Sequence, residues 1–577
     1  MLIKHEFKNK KIEKEIKDPG FLITNRNGSY YSDSLNKSRY DGFFIYEKNE
    51  MYRVLDEIVV NDDINEISNK FSSLKLKRNK LNQEIFMFKN FNTLICLFDK
   101  FALIELLFDV KKSYDNREYG RFYTITHEND KIIIKFDKKT SSLDKEAEGN
   151  FEYSLFIVIN QATFSTPNAW VKKSYKFDKE RNSMPHERYV FHGLKLLTNK
   201  LIITASLDKK KAINENSYVK KHLHDLILKN EKNVIKLLSR FKHRNKEIDF
   251  ALKCSINSLY QLSTENGVFA GLPWFFQCWA RDELLSLKSL NLFNRHLGNQ
   301  ILNRHIENLI RKNRLYSNEK SDLIAKDALG LLALRSFEIK NFNYKLINYL
   351  RNNINSPSLI KNSALETWMD TDVFNDKREG FRIEIQSLYL NICSILYKIT
   401  KDEKFKFFEE ALKFVVRKNF FTGKILKDGL NDATIRPNIF LAYYYYPELL
   451  TKKEWINVFH NSLPNIWNNW GGFSSIEKSS LLFQPNNTGE NNLSYHRGDS
   501  WFYLNNIAAI CLLRLSKKNF SKYIKKILSA SIQDILWNGY IGFHSEISSS
   551  SKLEAKGCKA QAWSSAMFIE LINEFKK

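Results

Sequence analysis

Ile248-Asp-Phe-Ala-Leu-Lys-Cys-Ser-Ile-Asn-Ser-Leu259 is where the hydrophobic period of this chain changes. Ile248, Leu252, Ile256 and Leu259 fall on one face of a helix with about 3.6 residues per turn. Upstream, from about residue 20 to 205, apolar runs are short and rich in β-branched and aromatic residues. Thr93-Leu-Ile-Cys-Leu-Phe98, Phe101-Ala-Leu-Ile-Glu-Leu-Leu-Phe108, Lys131-Ile-Ile-Ile-Lys-Phe136, Tyr153-Ser-Leu-Phe-Ile-Val-Ile159 and Leu201-Ile-Ile-Thr204 are strand signals at sandwich-like spacing. Asp99-Lys100 is placed to turn the first two into a hairpin. Residues 207–245 read as a charged bridge, with Asp208-Lys-Lys-Lys211 and a polar helical pattern near 218–241.

Downstream, helical stretches recur at about 283–293, 298–312, 323–338, 382–399, 404–417, 453–464, 500–516, 520–533 and 561–575. The expected organisation is multidomain. A β-sandwich spans 1–206, a charged helical linker 207–245, and an all-α (α/α)6 toroid 246–577. In such a toroid the loops at one end carry the chemistry.

The 577 residues exceed one ordinary core, and 43% hydrophobic with 14% aromatic content can fill two. The net charge of +25 raises the question of nucleic acid. Acids interleave with bases, as in Lys8-Asn-Lys-Lys-Ile-Glu-Lys-Glu-Ile-Lys17, and no nucleic-acid fingerprint is present, so no such partner is expected. Cys96, Cys254, Cys278, Cys393, Cys511 and Cys558 lie far apart, without a C-x-x-C pair. That spacing predicts neither a zinc site nor a disulfide framework, and no metal or other cofactor is expected. Charges in Met1-Leu-Ile-Lys-His-Glu-Phe-Lys8 stand where a signal peptide needs apolar residues, and no apolar run reaches the ~18–20 residues of a membrane span. A cytoplasmic protein is expected, without a membrane partner and with an oligomeric state left open.

Chemistry-bearing residues concentrate in five downstream segments. Gly271-Leu-Pro-Trp-Phe-Phe-Gln-Cys-Trp-Ala-Arg-Asp282 sets Trp274 and Trp279 beside Arg281 and Asp282. Flat indoles pack on sugar C–H faces, and an Arg fork with a carboxylate binds vicinal hydroxyls. Leu365-Glu-Thr-Trp-Met-Asp370 precedes Arg378-Glu-Gly-Phe-Arg-Ile-Glu-Ile385. Then come Ile435-Arg-Pro-Asn-Ile-Phe440, Leu493-Ser-Tyr-His-Arg-Gly498, and Gly542-Phe-His-Ser-Glu-Ile547 leading to Gly557-Cys-Lys-Ala-Gln-Ala-Trp563. Each alone has a structural reading: Asp370 a helix cap, Arg436-Pro-Asn a turn, His496 a core or surface histidine, Glu546 a solvated acid.

Together and in this order, the segments resemble the amylo-α-1,6-glucosidase family, the glucosidase part of glycogen-debranching enzymes. The likeness extends upstream to Phe21-Leu-Ile-Thr-Asn-Arg-Asn-Gly-Ser-Tyr30 and Ser38-Arg-Tyr-Asp-Gly42. It implies a six-hairpin glycosidase acting on an α-glucan or oligosaccharide by inversion, favouring α-1,6 branch stubs. It places Asp370 as general acid and Glu546 as general base. Arg281 and Asp282 match positions that hold the terminal glucose. Asp327, Arg378, Glu384, Asn438, His496, Gln561 and Trp563 match pocket or supporting positions, and Trp274, Trp279, Trp368 and Arg436 belong to the same substrate-binding set.

Departures bear on specificity. Trp279-Ala-Arg-Asp282 replaces the family's Trp-Gly-Arg-Asp, Leu329-Gly-Leu-Leu332 follows Asp327-Ala328 where tryptophan is usual, and Ser500-Trp-Phe-Tyr-Leu504 stands where a Trp-Pro segment is expected. The alternatives are a related toroid α-glucosidase of glucoamylase or trehalase type, a disaccharide phosphorylase, or a catalytically silent glycan-binding protein. An intact Glu546 speaks against the phosphorylase. The alternating strands and helices of a (β/α)8 transferase barrel are not seen, so oligosaccharide transfer is not expected.

Overall fold

A computed structural model describes residues 1–128, 130–144, 151–341 and 343–576. The chain divides into two compact units, Met1–Thr264 with Ile535–Gly542, and Glu265–Asp534 with Phe543–Lys577.

The first unit is β-rich. Its described strands form one 16-stranded sheet built around two long strands, Thr93–Lys112 and Glu187–Ser206. These pair antiparallel, with register shifts between Leu97 and Ala102 and between Leu106 and Leu107. The first half of Thr93–Lys112 pairs with Asn82–Met87, and its second half with Glu50–Val60. The expected hairpin at Asp99-Lys100 is therefore absent, and the strand runs straight through. The Asp99 carboxylate instead accepts the Asn82 backbone N–H at 2.9 Å and its side-chain amide at 2.7 Å, across to the neighbouring strand.

The stretch read as a linker forms two helices, Lys209–Lys221 and Leu223–Leu238. Asp208 caps the first by accepting the Lys211 N–H at 2.9 Å. Val219 and Leu223 pack against Phe86, Phe88, Ile95 and Ile202 of the sheet. Asn216 donates to the Val158 and Ile202 carbonyls. The charged residues that suggested a bridge occupy the solvent side of an amphipathic helix. The helix Lys246–Leu262, expected to open the toroid, also falls in the first unit.

The second unit is helical. Helices buried on all sides alternate with helices buried along one stripe. The first kind comprises Ala280–Leu290, Lys326–Glu338, Ile383–Thr400, Asn438–Tyr445, the leading part of Phe502–Trp537, and Ala562–Glu574. The second comprises Arg295–Lys312, Tyr344–Asn353, Glu403–Phe420, Lys452–Ile466 and the trailing part of Phe502–Trp537. In Glu403–Phe420 the buried set is Phe405, Phe408, Leu412, Val416 and Phe420, a single face. A helix apolar all round must be enclosed by others, so this alternation is an inner and an outer layer. Phe502–Trp537 is two helices meeting at Ser516, whose ψ of 95° is not helical.

Tyr344–Asn353 and Asn438–Tyr445 are helices that periodicity had not separated from loop. Pro437, with φ −66°, is already set for the turn that starts the second of them. All six cysteines are free. Among the described residues no helix is long and apolar enough to cross a membrane, and no cluster of three or more His, Cys, Asp or Glu is placed to hold a metal.

Candidate active site

Inner-helix starts carry most of the residues singled out in the sequence. Arg281 and Asp282 lie in the first turn of Ala280–Leu290, Asp327 in that of Lys326–Glu338, and Glu384 in that of Ile383–Thr400. Asn438 opens its helix, Gln561 caps Ala562–Glu574, and Trp563 is in that helix's first turn. Helix N-termini present free N–H groups and the positive end of the macrodipole, a suitable setting for carboxylates. Asp370, Arg436, His496 and Glu546 come from the loops that lead into these helices.

Short bridges register the loops. Gly271–Leu272 pairs with Ala560–Gln561, and Ser500–Trp501 with Ile547–Ser548. Gly271 permits the first pairing, because a Cβ there would sit 2.4 Å from Gln561 Oε1 and 2.7 Å from the Ala560 carbonyl. The Lys326 N–H donates to the Glu366 carbonyl at 2.9 Å, tying the Asp370 loop to the Asp327 helix.

Arg281 is the hub of one side. Its Nε donates to both Asp327 oxygens at 2.7 and 2.9 Å, its Nη1 to Asp370 Oδ2 at 3.1 Å, and its Nη2 to the Glu366 carbonyl at 3.0 Å. Burial pushes the Asp370 carboxyl up to about 6, against the pull of Arg281 and with the help of Asp327. A quarter of the Asp370 side chain stays exposed, so water can still reach it.

Glu546 forms the other side. Tyr495 Oη donates to its Oε1, and the Cys558 N–H donates to Oε2 at 2.8 Å. Gly557, at φ +61°, leaves the room this needs, since a Cβ there would lie 2.4 Å from Glu546 Oε2. Burial, helped by the charges on Asp499 and Asp370 and opposed by the hydrogen bonds from Tyr495 and the Cys558 N–H, raises Glu546 to about 7. Asp282 receives the Gln561 amide at 2.9 Å, and burial followed by the Glu546 charge lifts it well above the carboxylate range. Asp282 and Asp370 thus both feel the Arg281 guanidinium, and each is within electrostatic reach of Glu546.

Aromatic rings line the same region. His496 stacks on Trp501 with centroids 5.2 Å apart, and Trp368 meets both edge-on. Tyr503 stacks on Trp563 at 4.1 Å. Burial and the surrounding arginines hold His496 far below its usual pKa, so it is neutral. Its Nδ1 meets Thr371 Oγ1 at 2.9 Å. His496 Nε2, Trp279 Nε1, Trp563 Nε1 and Gln561 Oε1 are buried with no hydrogen-bond partner among the described residues. Buried polar atoms left unpaired are costly, and a polyhydroxylated ligand can satisfy them.

Other expected residues act at a distance. Arg378 is buried between Glu384, at 2.7 Å, and Asp428, at 2.9 Å. Asn438 donates to Asp428 at 2.7 Å and accepts the Trp368 indole N–H at 2.8 Å. The chain Arg378–Asp428–Asn438–Trp368 therefore fixes the tryptophan without presenting Arg378 or Glu384 to a ligand. Arg436 reaches Asp376 at 2.8 Å and the His496 carbonyl at 3.0 Å. Trp274 is buried in the turn after Gly271, with its backbone against the Cys558 thiol.

Sequence reasoning did not assign Asp428, Tyr495, Trp501 or Asp499. Tyr495 stood inside a quoted motif, but only the fold brings its hydroxyl to Glu546. Trp501 lies in the segment that departs from the Trp-Pro pattern, and here it supplies an indole that packs flat on His496.

Residues 344–570 match the model of the amylo-alpha-1,6-glucosidase family. The protein is a glycoside hydrolase. The matched segment holds Asp370, His496 and Glu546. No curated protein matches the chain. Among solved structures it is similar to a wild-type glycosidase at 11% identity and TM-score 0.42, over 58% of this chain and 99% of the other. A glycosidase variant in complex with glucose is 10% identical, with TM-score 0.42 over 58% and 99%. A GH63 mannosylglycerate hydrolase from Thermus thermophilus, in complex with Tris, is 10% identical, with TM-score 0.43 over 57% and 100%.

Proposed function

We propose that the protein is an inverting exo-acting α-glucosidase that removes single glucose units from α-1,6 branch stubs of glycogen-like chains, with Asp370 as general acid and Glu546 as general base. The observation that carries this reading is the pairing of Asp370, held by Arg281, with Glu546, held by Tyr495 and the Cys558 N–H. We read the alternating buried and one-faced helices as the inner and outer rings of an (α/α)6 toroid, the 16-stranded sheet as a β-sandwich domain, and the location as cytoplasmic.

In the reaction, Asp370 gives its proton to the glycosidic oxygen as the bond to the anomeric carbon breaks. Glu546 takes a proton from the water whose oxygen bonds to the opposite face of that carbon. Solvent then returns a proton to Asp370 and removes one from Glu546. Room for the water calls for a carboxyl separation of ~6.5–9.5 Å. Arg281, Asp282 and Gln561 are suited to the hydroxyls of the terminal glucose, with Trp563 and Trp501 as apolar walls.

The protonation states follow from the surroundings. Asp370 stands near about 6 and Glu546 near about 7, and the charge on Asp370 contributes to the rise of Glu546. A bound sugar covers the exposed quarter of Asp370 and raises it by desolvation. Tyr495 and the Cys558 N–H continue to donate to Glu546 and favour its ionised form. Both effects put the shared proton on Asp370. kcat/KM reports the free enzyme, so it should be bell-shaped in pH, with limbs near about 6 and about 7. It falls at low pH as Glu546 gains a proton and at high pH as Asp370 loses one. A flat profile from about pH 5 to 8 would contradict a carboxyl pair of this kind.

Substrate choice is tested by incubating the pure protein with glycogen limit dextrin, maltose, isomaltose and trehalose, with and without phosphate. Glucose should come chiefly from the limit dextrin, without a phosphate requirement, and proton NMR should show the β-anomer first. A dextrin with side chains longer than one glucose should release little α-1,6-linked glucose. New longer maltodextrins formed by the protein alone would overturn the stub-hydrolase reading. A related toroid α-glucosidase shares the same carboxyl pair. Leu329, where the family usually has tryptophan, favours it, and preferential cleavage of maltose or trehalose would establish it.

A further inference from the structure

Phe374 is an aromatic side chain that the site described above does not use, and it is 53% exposed. It follows Asp370 by four residues, at most ~14 Å of chain. The Asp376 N–H donates to the Val373 carbonyl at 3.0 Å, closing a turn whose two central residues are Phe374 and Asn375. Both are left-handed, at φ +54° and +59°. Turns with positive φ at both central residues are dominated by Gly, Asn and Asp. Phenylalanine at the first of them works against the backbone, and a half-exposed ring recovers little of that by burial.

The turn is nevertheless held firmly, from both ends, by one buried arginine. Arg497 Nη1 donates to Thr371 Oγ1 at 3.1 Å, and Nη2 donates to the carbonyls of Thr371 at 3.2 Å and Asp376 at 3.0 Å. Thr371 Oγ1 also meets His496 Nδ1 at 2.9 Å, and the Asp376 carboxylate accepts Arg436 at 2.8 Å. The loop that leaves Asp370 therefore presents Phe374 from a fixed frame shared with His496. Residues kept in sparsely populated backbone conformations by their surroundings cluster at sites that act on ligands.

We propose that Phe374 is the platform on which the leaving part of the substrate packs, and that it sets the preference for a glucan chain over a small leaving group. The proposal rests on the reading of Asp370 as general acid. In that reading the terminal glucose is held by Arg281, Asp282 and Gln561, and the leaving part extends from Asp370 toward solvent. A glucan chain is too long to be enclosed, so it passes the exposed residues that continue from the acid. Of the exposed Asp372, Phe374, Asn375 and Lys377, Phe374 is the one with a flat apolar face for sugar C–H groups.

The test compares limit dextrin, whose leaving group is a glucan chain, with α-glucosyl fluoride, whose leaving group is a single atom. Phe374→Asn removes the ring and suits the left-handed turn, so the fold is kept. The ratio of kcat/KM on limit dextrin to that on α-glucosyl fluoride should fall about tenfold, mainly through KM for the dextrin. Phe374→Tyr keeps a ring and should hold the ratio near that of the wild type. An unmoved ratio in Phe374→Asn overturns the proposal, whether both rates stay or both fall, because a merely structural role acts on the two substrates alike. Wild-type turnover of limit dextrin by Asp370→Asn would instead defeat the reading of Asp370 as acid, so the two failures are distinct.

Discussion

Asp370→Asn and Glu546→Gln should each lower kcat by about 10²–10⁴-fold with little loss of stability, because each removes a proton-transferring group and leaves its shape. Asn at 370 can still turn its oxygen to Arg281, which donates at 3.1 Å. Gln at 546 can keep its oxygen on the Cys558 N–H, now at 2.8 Å, and Tyr495 can rotate its hydroxyl to accept. Steady-state kinetics on limit dextrin together with thermal unfolding check both halves of the expectation. If KM rises while kcat is kept, the residue binds rather than transfers protons. Wild-type turnover in the double variant would falsify the assignment of both roles.

The largest effect on stability is expected at Arg378. Its guanidinium is buried and shared by Glu384 and Asp428, with Thr367 Oγ1 at 3.0 Å. Arg378→Ala leaves two buried carboxylates without their main cation, a change that typically costs about 3–5 kcal/mol. Urea unfolding should show the loss in the transition of the helical unit. Arg378→Lys should recover little of it, because an ammonium cannot bridge both carboxylates with a planar fork. Activity should fall as well, since Asp428 also accepts from Asn438, which holds the Trp368 indole. If Arg378→Ala unfolds like the wild type, the cluster does not support the site.

Much of this was readable in the residues one by one. Short apolar runs rich in β-branched residues such as Lys131–Lys138 became strands, and period-3.6 stripes such as Phe405–Phe408–Leu412–Val416 became helices, because the burial that stabilises an element also writes its pattern. Asp370, Glu546, Arg281 and Asp282 stand out as candidates in the sequence because sugar chemistry demands few residue types and the motifs come in order.

The sequence did not separate the hairpin proposed at Asp99-Lys100 from the single strand Thr93–Lys112. Two polar residues there suit a turn locally, and only pairing with Asn82 on the neighbouring strand makes the extended form the better one. Nor did local charge show that Lys209–Lys221 docks on the sheet, since its few apolar contacts come from strands far away in the chain.

The chain order by itself determined the division into a β-rich and a helical part and the family-like motifs from which the carboxyl pair is proposed. Only the tertiary structure decided which groups surround that pair. Tyr495, Asp499 and Cys558 are 51, 47 and 12 residues from Glu546. Their effect on its proton depends on distances of a few ångströms and on exclusion of water, and neither quantity is written in any one segment.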